Sequence, residues 1–459
     1  MKIALTIGLC LLVGSAGRAA IAPAPSPTVP VYTLADCLEM AYERNAQIET
    51  AAEEMEAAGG IRLQAISDAV PHLSGDASYT YLDRIRYYES GDETLPVNRH
   101  DNYHVGLTLE QSVYQGGRVI AGIRAADLLN DYSEVYLAET RMDVAYRVKE
   151  FFYLLLQQEE VARIRRDTVK HMTDYRDTAE NKFEQGTISE FDRITAEVKL
   201  ANSVPPMIQA ENQTDIYKTS LARELGLSEQ TFGVHGRLEY VDFDVPLESL
   251  NILGKEYRPL LKQMRLMEEM REQEVNAARA GYQPSVSLFA SWVGDYPDDE
   301  TPPESDFQNE WFAGARLTWH LFDGLKTPGK VAEARARLNQ ARIASSDAER
   351  TVLLAIKQAY LDTLASRKAL ESQKETVAQA EKAYQIAKIR WDNGISTSLE
   401  LTDAELNLSE ARVMFEQSLA YYRISLAAIE RSVGVPLEEM KRVGPSGGRA
   451  PMERGDSGE

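Results

Sequence analysis

The chain contains two copies of one pattern, and this duplication constrains its fold more than any other feature. The segment KFEQGTISEFDRITAE, Lys182 to Glu197, returns as RWDNGISTSLELTDAE, Arg390 to Glu405. The same 208-residue spacing relates three further glycine pairs, namely Gly106 with Gly314, Gly116 with Gly324, and Gly226 with Gly434. One inserted residue would move a helix end by about 1.5 Å and rotate it by roughly 100°. The ungapped match therefore predicts two copies of one architecture whose helical turns lie at one level.

Each copy of the repeated segment predicts a helix–turn–helix tip. A long helical pattern ends at a glycine, small hydroxyl residues follow, and a second helix begins. Glycine suits the left-handed residue after a helix, and Ser or Thr caps the next one. The candidate tip residues are Gly186, Thr187, Ser189, Gly394, Ser396 and Thr397, with Phe183 and Trp391 three residues before each glycine. These two aromatic residues could be packing anchors or latch residues.

The amino terminus predicts export. Residues 1–20 read as a signal peptide, because an apolar run from Ile3 to Val13 is followed by small residues. The alternative, an anchor helix, is disfavoured because a bilayer-spanning helix needs a stretch of about 20 residues. A proline-rich leader follows at 21–32, and Cys37 then has no intrachain disulfide partner. The formal net charge of −21 disfavours nucleic acid and anionic lipid as partners.

Each copy also predicts two long strands, because apolar and polar residues alternate from Leu73 to Tyr81, Tyr103 to Leu109, Pro284 to Trp292, and Trp311 to Trp319. Alternating strands of about 9 to 11 residues with aromatic ends are typical of membrane-spanning β-barrels. The alternative is an antiparallel sheet on a soluble core. Four strands cannot close a barrel, so a membrane location requires two or three copies. The candidate membrane-interface girdle is Tyr79, Tyr81, Trp292, Trp311 and Trp319.

Between the strands and the tips, the pattern predicts long helical arms. About 65 residues from Gly117 to Lys182 contain no proline, which gives about 100 Å of helix that neighbours must support, as in a coiled coil. Pro205 and Pro206 predict a break or a kink in the first returning arm. The expected domains are repeat 1 at 33–246, repeat 2 at 247–436 and a disordered tail at 437–459.

Together, these features resemble the TolC-like outer membrane efflux proteins, the outer membrane factors of multidrug pumps and type I secretion systems. The resemblance covers roughly Tyr32 to Pro436. It rests on the opening TLADCLEMAYERNAQI, the strand entry at Pro71, the turns QSVYQGGR and HLFDGLK, and both glycine tips. The implied fold class is α+β: a homotrimer joins twelve strands in one outer membrane β-barrel, which a coiled-coil barrel of helices continues into the periplasm. The implied function is a passive exit duct.

The resemblance also implies partners and a gate. The partners are a periplasmic adaptor, an inner membrane transporter of the RND or ABC type, and outer membrane lipid. Glu400 and Asp403 lie three residues apart and share one helix face. By resemblance, acids at these positions line the periplasmic entrance, where crowded carboxylates attract cations. Asp192 occupies the position equivalent to Glu400 in the first copy. The alternative is that these acids complement the helix dipole.

No residue pattern predicts catalysis. The sequence has no phosphate loop, zinc-protease helix or nucleophile elbow, and His100 and His104 fit a loop and a lumen-facing strand better than a metal pair. We therefore expect no enzyme activity, metal or cofactor. Two other classes stay open: a periplasmic coiled-coil adaptor or scaffold, which should contain a lipoyl-like domain, and a soluble coiled-coil structural protein, which should dissolve without detergent.

Overall fold

The computed structural model describes residues 30–90, 93–228, 232–297, 306–393 and 395–442. The expected signal peptide at 1–20, the leader up to residue 29, Gly394, and the chain beyond residue 442 lie outside the described residues. Within them, the predicted order of helix, two long strands and a long helical hairpin occurs twice.

The first repeat ends in a hairpin of two long helices. Its elements are β1 (Val31–Tyr32), α1 (Leu34–Arg44), α2 (Ala46–Ser67), β2 (His72–Tyr81), β3 (Tyr87–Ser90), β4 (Glu93–Pro96), β5 (Asp101–Gln115), α3 (Arg118–Glu184) and α4 (Glu190–Glu224). Helix α3 has 67 residues and therefore extends for about 100 Å. This confirms the prediction of one uninterrupted arm.

The second repeat has the same order and adds a short final helix. The short strand β6 (Gly233–Val234) precedes this repeat and pairs with β1 of the first repeat. The elements that follow are α5 (Leu247–Tyr257), α6 (Pro259–Arg279), β7 (Ser285–Tyr296), β8 (Gln308–Thr318), α7 (Lys326–Asp392), α8 (Ser398–Val433) and α9 (Leu437–Arg442). Helix α7 has 67 residues, the same number as α3, as the duplication requires.

The four long strands form one antiparallel sheet in the order β2-β5-β7-β8. The central pair, β5 with β7, joins the two repeats and places Leu109 opposite Ala290. Strands β2 and β8 have no second neighbour among the described residues, so the sheet has two open edges. An open edge presents unpaired backbone groups to any strand that can pair with it.

Each repeat has its own apolar core between its short helices and the upper part of its hairpin. The first core contains Cys37, whose thiol has its pKa raised to about 12 by burial. The 208-residue spacing makes Val144 and Val148 equivalent to Val352 and Ile356, and all four side chains are buried at corresponding places in the two cores.

Two predictions about helix ends need correction. Apolar residues near helical spacing from Thr33 to Ala69 predict one helix, but the helix is interrupted at Asn45, which is extended rather than helical. The Asn45 side chain caps α2 by accepting from the Gln47 backbone and donates to the Glu224 carbonyl at 2.8 Å. The tail is also not disordered from residue 437: α9 forms there because Met440 is fully buried in the second core.

Of the break or kink predicted at Pro205 and Pro206, the break is wrong, since α4 continues through both prolines. Two prolines remove the backbone hydrogen bonds to the carbonyls of Ala201 and Asn202. Both of these residues are exposed, so water can bond to their carbonyl groups. Packing of α4 along α3 then holds the helix together.

Candidate functional site

The first hairpin tip is closed by a left-handed glycine and a capping box. Gly186 has φ of +70°, and the backbone N–H of Thr187 donates to the Lys182 carbonyl at 2.9 Å. Ser189 caps α4 by accepting from the backbone of Asp192, and the Asp192 carboxylate accepts from the Ser189 hydroxyl at 2.7 Å. The turn therefore forms as the sequence predicts, and Asp192 is engaged in capping the helix.

The second tip repeats this geometry. The Ile395 backbone donates to the Arg390 carbonyl at 2.8 Å, which is the counterpart of the bond between Thr187 and Lys182. Thr397 caps α8 by accepting from the Glu400 backbone at 3.4 Å. The hydroxyl oxygen of Ser396 is buried and has no partner among the described atoms.

The predicted gate acids do not contact one another; each has a partner of its own. Glu400 forms an ion pair with Arg390 at 3.4 Å, and this pair joins α7 to α8. Asp403 accepts from the ammonium of Lys199 at 2.7 Å, and this pair joins α8 to α4 of the first hairpin. Sequence reasoning missed Lys199, because its partner lies on a different helix and the repeat spacing does not relate the two residues.

The two tip aromatics take part in contacts near the turns. The Lys182 ammonium lies 3.9 Å from the ring centroid of Trp391, and the Tyr175 ring meets Trp391 edge-on at 6.3 Å. Since α3 carries Lys182 and α7 carries Trp391, these contacts connect the two hairpins. The guanidinium of Arg193 instead lies 5.2 Å from the ring centroid of Phe183, and both residues belong to the first hairpin.

The interface between α3 and α8 becomes polar towards the tips. Val161 and Val413 are still buried in an apolar cluster. Beyond them, the contacts between the two helices include Arg165 with Glu410 at 2.9 Å, Thr168 with Ser409 at 2.8 Å, and His171 with Glu405 at 2.6 Å. We call these three contacts, together with Lys199–Asp403, the polar seam. Polar groups can exchange such bonds for water, so a polar interface separates at a lower cost than an apolar one.

The tips also expose apolar side chains that sequence reasoning missed. Phe191 is 77% exposed, and Leu399, its equivalent in the second copy, is 53% exposed. Ile395 at the second turn is 71% exposed. Phe191 and Leu399 are related by the 208-residue spacing, and this repeated apolar position after each turn is the sequence signal that points to them.

The candidate girdle residues all lie on exposed parts of the sheet or just beyond it. Trp292 and Trp311 are directly paired across β7 and β8, and Tyr79 packs against Tyr103 with ring centroids 5.1 Å apart. Trp319 follows β8 and donates its ring N–H to the Tyr282 carbonyl at 3.3 Å. The opposite face of the sheet is polar: His104 contacts Asp76 at 3.1 Å and Asp295 at 2.7 Å.

Neither a metal centre nor a membrane-crossing helix is found in the described part of the chain. No group of three or more His, Cys, Asp or Glu side chains there is arranged to hold a metal ion. Within the same residues, no helix combines the length and apolar composition needed to cross a bilayer. His100 bonds to the Leu82 carbonyl, and His104 contacts two carboxylates, so the two histidines do not form a pair.

Comparison with known proteins identifies the same architecture. The sequence model of the family described as Outer membrane efflux protein matches residues 37–227 and 255–435, one segment in each repeat. The cobalt-zinc-cadmium resistance protein CzcC of Cupriavidus metallidurans is 23% identical over 89% of this chain and 92% of its own length. The solvent efflux pump outer membrane protein SrpC of Pseudomonas putida is 24% identical over 83% of this chain and 81% of its own. The outer membrane channel CmeC of Campylobacter jejuni has a similar fold, with a TM-score of 0.76, 18% identity, and coverage of 87% of this chain and 85% of its own.

Proposed function

The chain belongs to the outer membrane efflux protein family, and from this premise we propose that it is a passive exit duct whose periplasmic end is opened by other proteins. Proteins of this family are outer membrane channels of efflux pumps, and they work as trimers with periplasmic adaptors and inner membrane pumps. For this chain, we propose a homotrimer that an adaptor contacts at the hairpin tips while an inner membrane transporter supplies the energy.

The observation that carries this proposal is a sheet with two open edges at one end of two 100 Å hairpins. Strands β2 and β8, of 10 and 11 residues, leave their outer edges unpaired. A bilayer offers no water to satisfy such edges, so they must pair with strands of other copies. Helices α3 and α7 begin just after β5 and β8, and they place the tips about 100 Å from the sheet. This length suits a duct that reaches across the periplasm.

We propose that the closed state is held by contacts between the two hairpins of each protomer. Lys199–Asp403 and the stacking of Lys182 on Trp391 join the hairpins near the tips, and the polar seam continues this contact upward. When an adaptor pulls the tips apart, these bonds exchange for water. In this proposal, Glu400 and Asp403 serve both as cation-attracting groups and as members of ion pairs, whereas Asp192 serves as a helix cap.

We further propose that the adaptor binds the turns and the exposed apolar residues beside them. The turn residues are Gly186, Thr187, Ser189, Gly394, Ser396 and Thr397. Phe191, Leu399 and Ile395 supply apolar surface at the same level. Exposed apolar groups of this kind are common at protein interfaces. The observation behind this proposal is the exposed position of Phe191 and Leu399, which are equivalent residues of the two repeats, one at each tip.

Single-channel recording in planar bilayers tests the duct and the gate together. The purified trimer should give a small cation-selective conductance. Hexaamminecobalt(III), added on the periplasmic side, should block the parent more strongly than a variant with Glu400→Ala and Asp403→Ala. Glu190→Ala is a matched control, because Glu190 is an exposed tip acid whose ion pair with Arg193 lies within its own helix.

The outcomes separate the two proposals. A correctly folded trimer without conductance would refute the duct. Conductance with equal block of the parent and the double variant would leave the duct standing and would refute the role of the two acids. Because Glu190→Ala removes one charge and the double variant removes two, an effect of Glu190→Ala half as large as that of the double variant would show that only the net charge of the tip matters.

A further inference from the structure

The inner surface of the proposed barrel is defined by the strand pairing. Side chains alternate along a strand, so the face opposite Trp292 and Trp311 holds every second residue. The pairing places Ser78, His104 and Asp295 side by side on that face, and likewise Thr108 and Ser291. We call it the lumen face, because a membrane-spanning barrel turns its polar face inward. The inference that follows therefore rests on the proposed function.

Two phenylalanines interrupt the polar character of the lumen face. Phe289 lies opposite Gly314, and Phe312 lies opposite Ser291. Among the described residues of these four strands, they are the two Phe, Tyr or Trp side chains on this face. Their rings meet edge to face, with centroids 6.3 Å apart and an angle of 70° between the planes. Phe312 is 45% exposed, and neither ring belongs to a buried apolar cluster. Packing alone therefore does not account for them.

Gly314, which lies opposite Phe289, leaves space for the phenylalanine ring. A Cβ atom on Gly314 would lie 2.9 Å from the Cζ atom of Phe289, which is closer than real contacts of this kind. Glycine at this position leaves the space that the edge of the Phe289 ring occupies. The aromatic surface is thus a built feature of two adjacent strands.

A single arginine stands beside the aromatic pair. The guanidinium carbon of Arg316 lies 5.2 Å from the ring centroid of Phe289. On the lumen face of the described strands, Arg316 is the one Lys or Arg side chain, and it is exposed and has no carboxylate partner there. The carboxylates of Asp76 and Asp295 on the same face are both in contact with His104 instead.

We infer that Phe289, Phe312 and Arg316 form a lumen binding site for planar aromatic carboxylates. The aromatic ring of such a compound can stack on the exposed ring of Phe312, while its carboxylate accepts two hydrogen bonds from the guanidinium of Arg316. Glu110 of β5 pairs with Phe289 on the edge of β7 that faces away from β8. Its carboxylate repels the carboxylate of the bound compound and so favours placement of that group at Arg316. In a homotrimer, symmetry would place three such sites around the barrel.

The test uses 2-naphthoate as the probe on the full-length trimer. In planar bilayers, 2-naphthoate should interrupt the current in a concentration-dependent way. Cyclohexanecarboxylate, which has the charge without the aromatic ring, and 2-naphthylmethylammonium, which has the ring with a positive charge, should both act more weakly. Phe312→Ser and Arg316→Gln should each raise the concentration for half-block by roughly three- to tenfold.

The controls separate a specific site from general electrostatics. Arg316→Lys keeps the charge and should retain part of the effect, whereas Asp83→Asn changes an exposed charge in the loop after β2 and should leave the half-block concentration unchanged. Equal block by 2-naphthoate and cyclohexanecarboxylate, or an unchanged value in both site variants, would overturn the inference. So would stronger block by the naphthyl cation in the variant with Glu400→Ala and Asp403→Ala, in which the gate acids cannot bind it.

A direct binding measurement keeps this test independent of the duct. If the folded trimer shows no conductance, isothermal titration of 2-naphthoate into the detergent-solubilised trimer decides the site by itself. Heat released by the parent and lost in Phe312→Ser supports the site even when the exit-duct proposal has failed. Absence of binding to the parent overturns the site, whereas conductance without any effect of 2-naphthoate leaves the exit duct intact.

Discussion

Lys199 of α4 donates a hydrogen bond to Asp403 of α8 across 2.7 Å, and this bond ties the returning arms of the two hairpins together near their tips. The Lys199 side chain is only 15% exposed, and it also bonds to the hydroxyl of Thr402. The ammonium of Lys199 is therefore bonded mainly to protein groups rather than to water. The pair is therefore suited to hold the hairpins in one relative position.

Replacing this lysine should favour the open channel. We expect Lys199→Met to weaken the closed state by about 1–2 kcal/mol, because it removes both bonds and leaves Asp403 without its partner. That corresponds to roughly a 5- to 30-fold shift in the ratio of closed to open channels. Single-channel open times would measure it. Lys170→Met, which changes an exposed lysine on α3, is the matched control. Similar open times for both variants would contradict the role assigned to the pair.

The two left-handed glycines Gly226 and Gly186 should differ in their tolerance of alanine. Gly226 has φ of +66°, and a Cβ there would clash with the Arg44 carbonyl oxygen; Gly186 has φ of +70° and open space around it. Gly186→Ala should cost about 1–2 kcal/mol for the backbone conformation alone. Gly226→Ala should cost more, because α1 and α4 must also move apart. Thermal unfolding followed by circular dichroism would compare them, and equal losses would show that the contact with Arg44 is unimportant.

Glu416 should make stability depend on pH. Its pKa is raised by burial and, to a lesser extent, by the carboxylate of Glu160, while Arg163 opposes the shift. The folded state therefore binds the carboxyl proton of Glu416 more tightly than the unfolded state, so protonation stabilises the folded protein at low pH. This stabilisation is lost as the pH rises through the raised pKa.

Glu416→Gln should remove that loss. It should raise the unfolding temperature near pH 8, where the parent must hold a buried charge, and should change it little near pH 4, where the parent carboxyl is protonated. Circular dichroism melts at the two pH values would show the difference. Glu375→Gln, which changes an exposed carboxylate on α7, should have the same effect on the unfolding temperature at both pH values. A gain at pH 4 as large as at pH 8 would exclude charge burial as the cause.

Helix α9 should contribute to the second core. Met440 is fully buried there, so Met440→Ala should lower the free energy of unfolding by about 2–5 kcal/mol through loss of packing and the cavity that remains. Glu439→Ala changes the exposed neighbour and should have a small effect. Thermal melts compare the two variants, and equal stability of the parent and Met440→Ala would mean that α9 does not seal the core.

Regular patterns in the sequence predicted most of the architecture. The alternation from Leu73 to Tyr81 predicted β2, and the uninterrupted pattern after Gly117 predicted α3 at its full length. Local chemistry misled in three places. Asn45 ends α1 because its side chain substitutes for backbone bonds, α4 continues through Pro205 because the orphan carbonyls face water, and α9 forms because Met440 finds a buried place.

The candidate site was predicted only in part. The turns at Gly186 and Thr397 followed from local sequence, since a helix cap involves residues three or four apart. The partners of the acids did not, because Lys199 and Asp403 are distant in the chain and meet only when two hairpins pack together.

By itself, the sequence determined the duplication, the alternation of the strands and the length of the arms, because these depend on residue spacing along one element. Only the tertiary structure decided which charges pair at the tips, where the interface of α3 with α8 turns from apolar to polar, and that Phe289, Phe312 and Arg316 meet on one face. Each of these depends on the register between elements, and that register is set by packing over the whole protomer.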